Sequence, residues 1–219
     1  MPIPITKLQA VKTIVCHRYP ALPCADGVAS ALILRDALDD VAVTFATHGP
    51  ELDALEARAG MLFCDLAPPA ARAQEFVDAG TIVLDHHRTA RSVVEQFGEL
   101  GIFADENGEA GVSGALLAYR EVWQVVFGSD SKTVHDFARL AGIRDTWQRS
   151  SERWDEACAQ AAALCFWPFE KWPEDPWRTL GVDARMKALL DFGPVVMEKR
   201  AVDTRRIIGE GWRYTTEKG

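Results

Sequence analysis

The sequence predicts an α/β fold: a parallel sheet with helices on both faces, followed by a mostly helical second half of the same domain. Three observations predict it. Short apolar runs alternate with helical segments through the first half. Those runs are nearly continuous in aliphatic residues, as strands covered on both faces are. From Ser113 onward the apolar positions fall mainly at helical spacing.

KTIVCH (12–17) reads as the first strand. A helix follows from about Gly27 to Leu38, with Val28, Ala31, Leu32 and Leu38 in a 3.6-residue pattern. VAVTFATH (41–48) is a second strand, ELDALEARA (51–59) a helix and GMLFCDL (60–66) a third strand. PPAARAQEFVDAG (68–80) opens with prolines and closes on Gly80, both helix-boundary signals. TIVLD (81–85) is the fourth strand. Strands joined by short helices imply parallel pairing with both faces covered.

In the second half, Ser113 reads as the N-cap of GALLAYREVWQVVF. Segments 131–143 and 152–166 follow the helical period, and a Trp- and Pro-rich stretch (166–177) interrupts them. Residues 182–207 read as one long helix, bent or broken near Gly193-Pro194. The ending, IGEGWRYTTEKG, reads as a strand entering something the chain does not contain.

A chain of 219 residues, 48% hydrophobic, can bury a sizeable core. Its formal net charge of −8 argues against a surface that coats long nucleic acid, though not against a short substrate held in a pocket. Five cysteines without a C-x-x-C pattern suggest neither a disulfide framework nor a zinc ribbon. Free thiols fit a reducing compartment, and MPIPITKLQAV lacks signal-peptide features, so a cytoplasmic location is expected. No apolar run is long enough to span a membrane, so no membrane partner is expected.

The strand endings carry the chemistry. KTIVCH ends in His17, VAVTFATH in His48, MLFCD in Asp65 and TIVLD in Asp85-His86-His87. Ligands of open parallel sheets bind outside the carboxyl ends of the strands. These endings therefore share one rim. Cys16 and Cys64 each precede a rim residue, so they point to the opposite face and read as core. Asp26-Gly27 opens the first helix, and Asp145 lies just past a later helix end.

The resulting set is His17, Asp26, Asp65, His86 and Asp145. Mixed oxygen and nitrogen ligands with several carboxylates suit Mn²⁺ or a related divalent ion better than structural zinc. Paired metals roughly 3.5–4 Å apart are a common solution for hydrolysing phosphate esters. The expected cofactor is thus Mn²⁺, as two divalent ions, with Mg²⁺, Co²⁺ or Zn²⁺ as alternatives.

His17 with CADGVASAL (24–32), the aspartate of FCDL, the DHH of VLDHH and the aspartate of GIRDTW together resemble the DHH phosphoesterase superfamily. That superfamily includes pyrophosphatases, single-strand exonucleases, oligoribonucleases and cyclic-dinucleotide hydrolases. The matching motifs cover about residues 12–150. The resemblance implies a hydrolase of phosphoester bonds, acting on a short oligonucleotide, a nucleotide or a polyphosphate through metal-activated water. It implies one metal on His17 and Asp65 and a second on Asp26, Asp65, His86 and Asp145, with Asp65 bridging. His87 would face the substrate phosphate, and Asp85 would orient the histidines. The implied partner is a phosphorylated small molecule or short single-stranded nucleic acid; a homodimer is left open.

The chain departs from the family pattern in two places. Cys24 stands where the first aspartate of the motif is expected, which makes it a candidate ligand of the first metal. No Gly-rich, His-containing clamp motif follows Trp177. The expected division is therefore residues 1–180 as the DHH-type domain and 181–219 as a linker helix and the start of a missing or truncated C-terminal domain. Two rival readings follow: a degenerate, non-catalytic nucleotide- or phosphate-binding module, and an inorganic pyrophosphatase.

Other residues carry two readings each. Arg88 and Arg144 flank motif residues and can bind phosphate or sit exposed beside acids. Ser113 and Gly114 can cradle a phosphate at a helix start or form a plain cap. His48 can line the site or close a loop. His135 reads as an ordinary helix residue. Trp167, Phe169, Trp172 and Trp177 can stack bases or pack a connection onto the core. Cys24 as a nucleophile is disfavoured by its acidic surroundings.

Overall fold

The computed structural model describes residues 2–105, 111–166 and 182–217. The chain opens with α1 (Ile5–Gln9) and then alternates: β1 (Thr13–His17), α2 (Ala25–Ala37), β2 (Ala42–Ala46), α3 (Pro50–Asp53), β3 (Met61–Cys64), α4 (Ala73–Asp78), β4 (Ile82–Asp85), α5 (Arg91–Val94) and β5 (Gly101–Phe103). Helices follow: α6 (Gly114–Ala118), α7 (Gln124–Phe127), α8 (Lys132–Asp145), α9 (Trp154–Phe166) and α10 (Val182–Glu217). A π-helical turn (Tyr119–Trp123) joins α6 to α7. This is the expected α/β architecture with a helical second half.

The five strands pair in the order β2-β1-β3-β4-β5, all parallel. Alternation along each strand divides the core in two. Ile14, Cys16, Leu62, Cys64, Ile82 and Leu84 face the core shared with α2, α6 and α8. Val15, Phe63 and Val83 face the other, shared with Leu52, Phe76 and Val94. Both cysteines are thus packing residues, and burial pushes each thiol well above its ordinary value. Strands β3 and β4 are buried along their length, which explains their unbroken apolar sequences.

Four local expectations need correction. The helix expected over 51–59 is only Pro50–Asp53. The Arg72 guanidinium donates to the carbonyls of Asp53 and Leu55 at 2.6 and 2.8 Å, so a side chain takes acceptors that a longer helix would use. The three-residue β5 was not expected, being too short to show a period. The long helix is present as expected, but the break that was one of the two alternatives near Gly193-Pro194 is absent, with Pro194 inside the helix. Gly193 serves close packing: a Cβ there would lie 2.2 Å from the Ala159 carbonyl oxygen on α9. Leu189 and Val196, both buried, hold the helix on either side of the lost proline hydrogen bond. Finally, the strand expected at the end of the chain is helix through Glu217, as propagating an existing helix is easier than starting a new element. The aromatic residues Trp167, Phe169, Trp172 and Trp177 lie outside the described residues.

Gly27 sets the distance between α2 and β1. A Cβ there would lie 2.1 Å from the His17 carbonyl oxygen, which is backbone and cannot rotate away. Gly27→Ala is expected to destabilise the fold by about 1–3 kcal/mol through overpacking. Urea unfolding should show a lower midpoint at unchanged slope; an unshifted midpoint would show that α2 tolerates a wider seat.

Candidate metal centre

The strand order reverses at β1, with β2 on one side and β3 on the other. The crevice at such a switch point is where open α/β sheets bind ligands. His17 ends β1, Asp65 directly follows β3, and Asp85-His86-His87 runs out of β4. The expected rim is therefore a single place.

Asp65 lies at its centre. It is 1% exposed and holds φ at +62°, a left-handed conformation uncommon for a residue with a side chain. Its two carboxylate oxygens face different partners. Oδ2 lies 3.8 Å from His17 Nδ1 and accepts from the Cys24 thiol at 3.6 Å. Oδ1 lies 3.1 Å from His86 Nε2 and 4.0 Å from His87 Nδ1.

Asp26 is fixed by backbone far away in sequence. The amides of Gly114 and Ala115, at the start of α6, donate to its Oδ2 and Oδ1 at 2.7 and 3.1 Å. Gly114 is needed there for space, since a Cβ would lie 2.5 Å from Asp65 Cβ. Ser113 is fully buried, and its Oγ accepts from Leu116 N at 3.3 Å as the expected cap. Ser113 and Gly114 thus hold α6 and Asp26 in place, and the Gly114 amide is spent on a carboxylate.

His86 Nε2 lies 3.1, 3.5 and 3.8 Å from oxygens of Asp65, Asp145 and Asp26. Donors that share one small divalent ion, each about 2.1 Å from it, stand roughly 3–4 Å apart. Two sets of potential ligand atoms relevant to the expected sites each lie within 4.8 Å of one another: His17, Cys24 and Asp65, and Asp26, His86 and Asp145. A third such set is Asp65, His86 and His87. These groups can hold a metal ion.

Charge supports the same fit. Burial first, then the charges of Asp26 and Asp145, pushes the Asp65 carboxyl well above its usual range. Burial, then Asp26, raises Asp145 to about 6. Among the described residues, no lysine or arginine pairs with these three acids; histidines are their ion-pair partners. A divalent cation is the charge this cluster lacks. His17 is complementary: burial, with His87 and His48 nearby, lowers it to about 4, leaving the neutral imidazole that a cation needs. Burial pushes the Cys24 thiol up, so without a cation it is a protonated donor to Asp65.

His87 is 40% exposed at the edge of the cluster. Its Nδ1 and backbone amide both meet Asp85 Oδ1, at 2.7 and 2.9 Å, which fixes the ring and raises its pKa. Arg88 lies outside the cluster, 3.7 Å from Asp105. His48 stands nearer than expected for a loop residue, its ring 5.7 Å from that of His17. His135 packs against Tyr119, away from the rim. The Asp26–α6 contact and a cavity beside Asp145 were not foreseen; no local sequence signal reports either.

No model of a known protein family matches the chain, and no curated protein matches it. Among the described residues, no helix is long and apolar enough to cross a membrane.

Asp145 titrates differently in the folded and unfolded chains. Between pH 3.8 and about 6 the folded protein keeps a proton that the unfolded chain has lost, so rising pH favours unfolding. Asp145→Asn removes that titration. In chelator, the variant is expected to gain stability relative to wild type across this window, with a constant gap above it, while losing divalent-cation affinity. Urea unfolding against pH checks the first outcome and Mn²⁺ titration the second; parallel pH curves for the two proteins would contradict the assignment.

Proposed function

We propose that the protein is a metal-dependent phosphoesterase of the DHH type, hydrolysing a phosphoester in a nucleotide or a short oligonucleotide, or a phosphoanhydride in a polyphosphate. The single observation that carries this reading is the Asp65 carboxylate, with one oxygen toward His17 and Cys24 and the other toward His86. A residue so placed suits a bridge between two cations, Mn²⁺ being the best match to a carboxylate-rich set. His17, Cys24 and Asp65 would hold one, and Asp26, Asp65, His86 and Asp145 the other. Such cations acidify coordinated water and offset charge on phosphoryl oxygens.

The chain's own groups supply the rest. Asp85 holds His87 through Nδ1, so Nε2 is the nitrogen left to serve substrate. Its raised pKa favours the protonated ring, which can donate to a phosphoryl oxygen or give its proton to the leaving oxygen. The Gly114 and Ala115 amides hold Asp26 at the centre. The burial of Asp26 and Asp65 strengthens the charge interactions they make.

A hydrolysis panel of nucleotides, short oligonucleotides, pyrophosphate and polyphosphate, run with metal analysis of the purified protein, tests the reading. Asp65→Asn is expected to lose bound metal and turnover together. Asp85→Asn should retain the metal and lose roughly 10- to 100-fold in rate. Retained metal with no hydrolysis of any substrate would replace the enzyme with a binding module. Equal, small effects of both variants would overturn the assigned roles.

A further inference from the structure

A cavity of about 470 Å³ opens beside the metal centre, between the segment carrying Cys24 and helices α8, α9 and α10. Pockets that enclose small ligands have about this size. Asp26 and Asp145 lie at its wall, so it is continuous with the proposed centre. Two guanidinium groups, Arg144 from α8 and Arg200 from α10, also line it, together with the apolar surfaces of Trp147 and Met197.

Among the described residues, neither arginine is tied up in an ion pair, although the charge of Arg144 is felt by its neighbour Asp145. Arg144 is held by indoles instead, its guanidinium 4.5 Å from the Trp147 ring centre and 5.5 Å from that of Trp154. Trp147 itself holds φ at +55°, an unusual conformation for a bulky residue. Trp147 is exposed, and its ring also lies 4.8 Å from the Arg149 guanidinium, so it places an aromatic face between two cations at the cavity mouth.

We infer that this cavity is a second-anion subsite. Resting on the phosphoesterase reading above, the preferred substrate is a phosphoester that carries another anionic group across an apolar spacer. One phosphate meets the metal centre, and the other group meets Arg144 and Arg200, which suit bidentate recognition of phosphate or carboxylate. Trp147 and Met197 flank the carbon skeleton between them.

The test uses the full chain with Mn²⁺ and two kinds of probe: ethanediol, butanediol and hexanediol bisphosphates, and their matched monophosphates. Calorimetric titration reads affinity, and phosphate release reads kcat/KM. At least one bisphosphate should bind more tightly than its monophosphate. Arg200→Gln and Arg144→Gln should each weaken that bisphosphate by about 10-fold and the monophosphate far less. Lys199→Gln removes the same charge from the next position, where the ammonium pairs with Asp203, and should leave the preference intact. Arg200 is on an exposed face of α10, so its variant remains informative if Arg144→Gln, which strips a partner from two indoles, fails to fold. Equal affinity for both probe kinds, or a preference that survives both arginine changes, overturns the subsite. Arginine-dependent preference without phosphate release supports the subsite and overturns the hydrolase. Phosphate release without preference does the reverse.

Discussion

Three carboxylates held together around one imidazole are the constraint on which the rest of the structure depends. Asp26, Asp65 and Asp145 converge on one imidazole, His86, and Asp26 and Asp65 are almost fully buried. Like charges at such distances repel by several kcal/mol in a partly buried site. The fold resists this with devices that each have another use. The two amides at the start of α6 hold Asp26. The left-handed turn at Asp65 swings its carboxylate off the end of β3 and into the crevice. Glycine at position 114 lets α6 approach that turn.

This arrangement sacrifices stability for a site. Burial, then the neighbouring carboxylates, pushes Asp65 and Asp145 upward, so without a cation protons offset part of the charge. A cation held by Asp26, Asp65 and Asp145 would displace those protons, and its binding energy would add to the folding energy. The parallel sheet makes the site possible because its central strands are locked on both faces and cannot relax away from the repulsion. β1 and β3 are neighbours in register, Cys16 beside Cys64, so the residues that follow each are delivered side by side.

Much of this was legible in the sequence because one physical rule covers it. Buried parallel strands must be apolar, so ionisable residues at their ends stand out: His17, Asp65 and Asp85-His86-His87 were visible for that reason. Ser113 was legible as a cap by residue type and position. Long-range contacts were not. For Ser113-Gly114 a phosphate cradle and a plain cap both stay open in the sequence, because a helix start is the same object whether it meets a ligand or Asp26. Gly193-Pro194 reads as a bend or a break, since nothing local shows that α9 lies close enough to need the glycine. The cavity joins residues as distant as Tyr19 and Arg200, which no window of sequence connects.

Anomalous diffraction from crystals grown with Mn²⁺ tests the central claim most directly. The account predicts two manganese peaks flanking Asp65, one on the side of His17 and Cys24 and one beside His86, Asp26 and Asp145. An absence of manganese at Asp65, or manganese bound only elsewhere on the molecule, would contradict it.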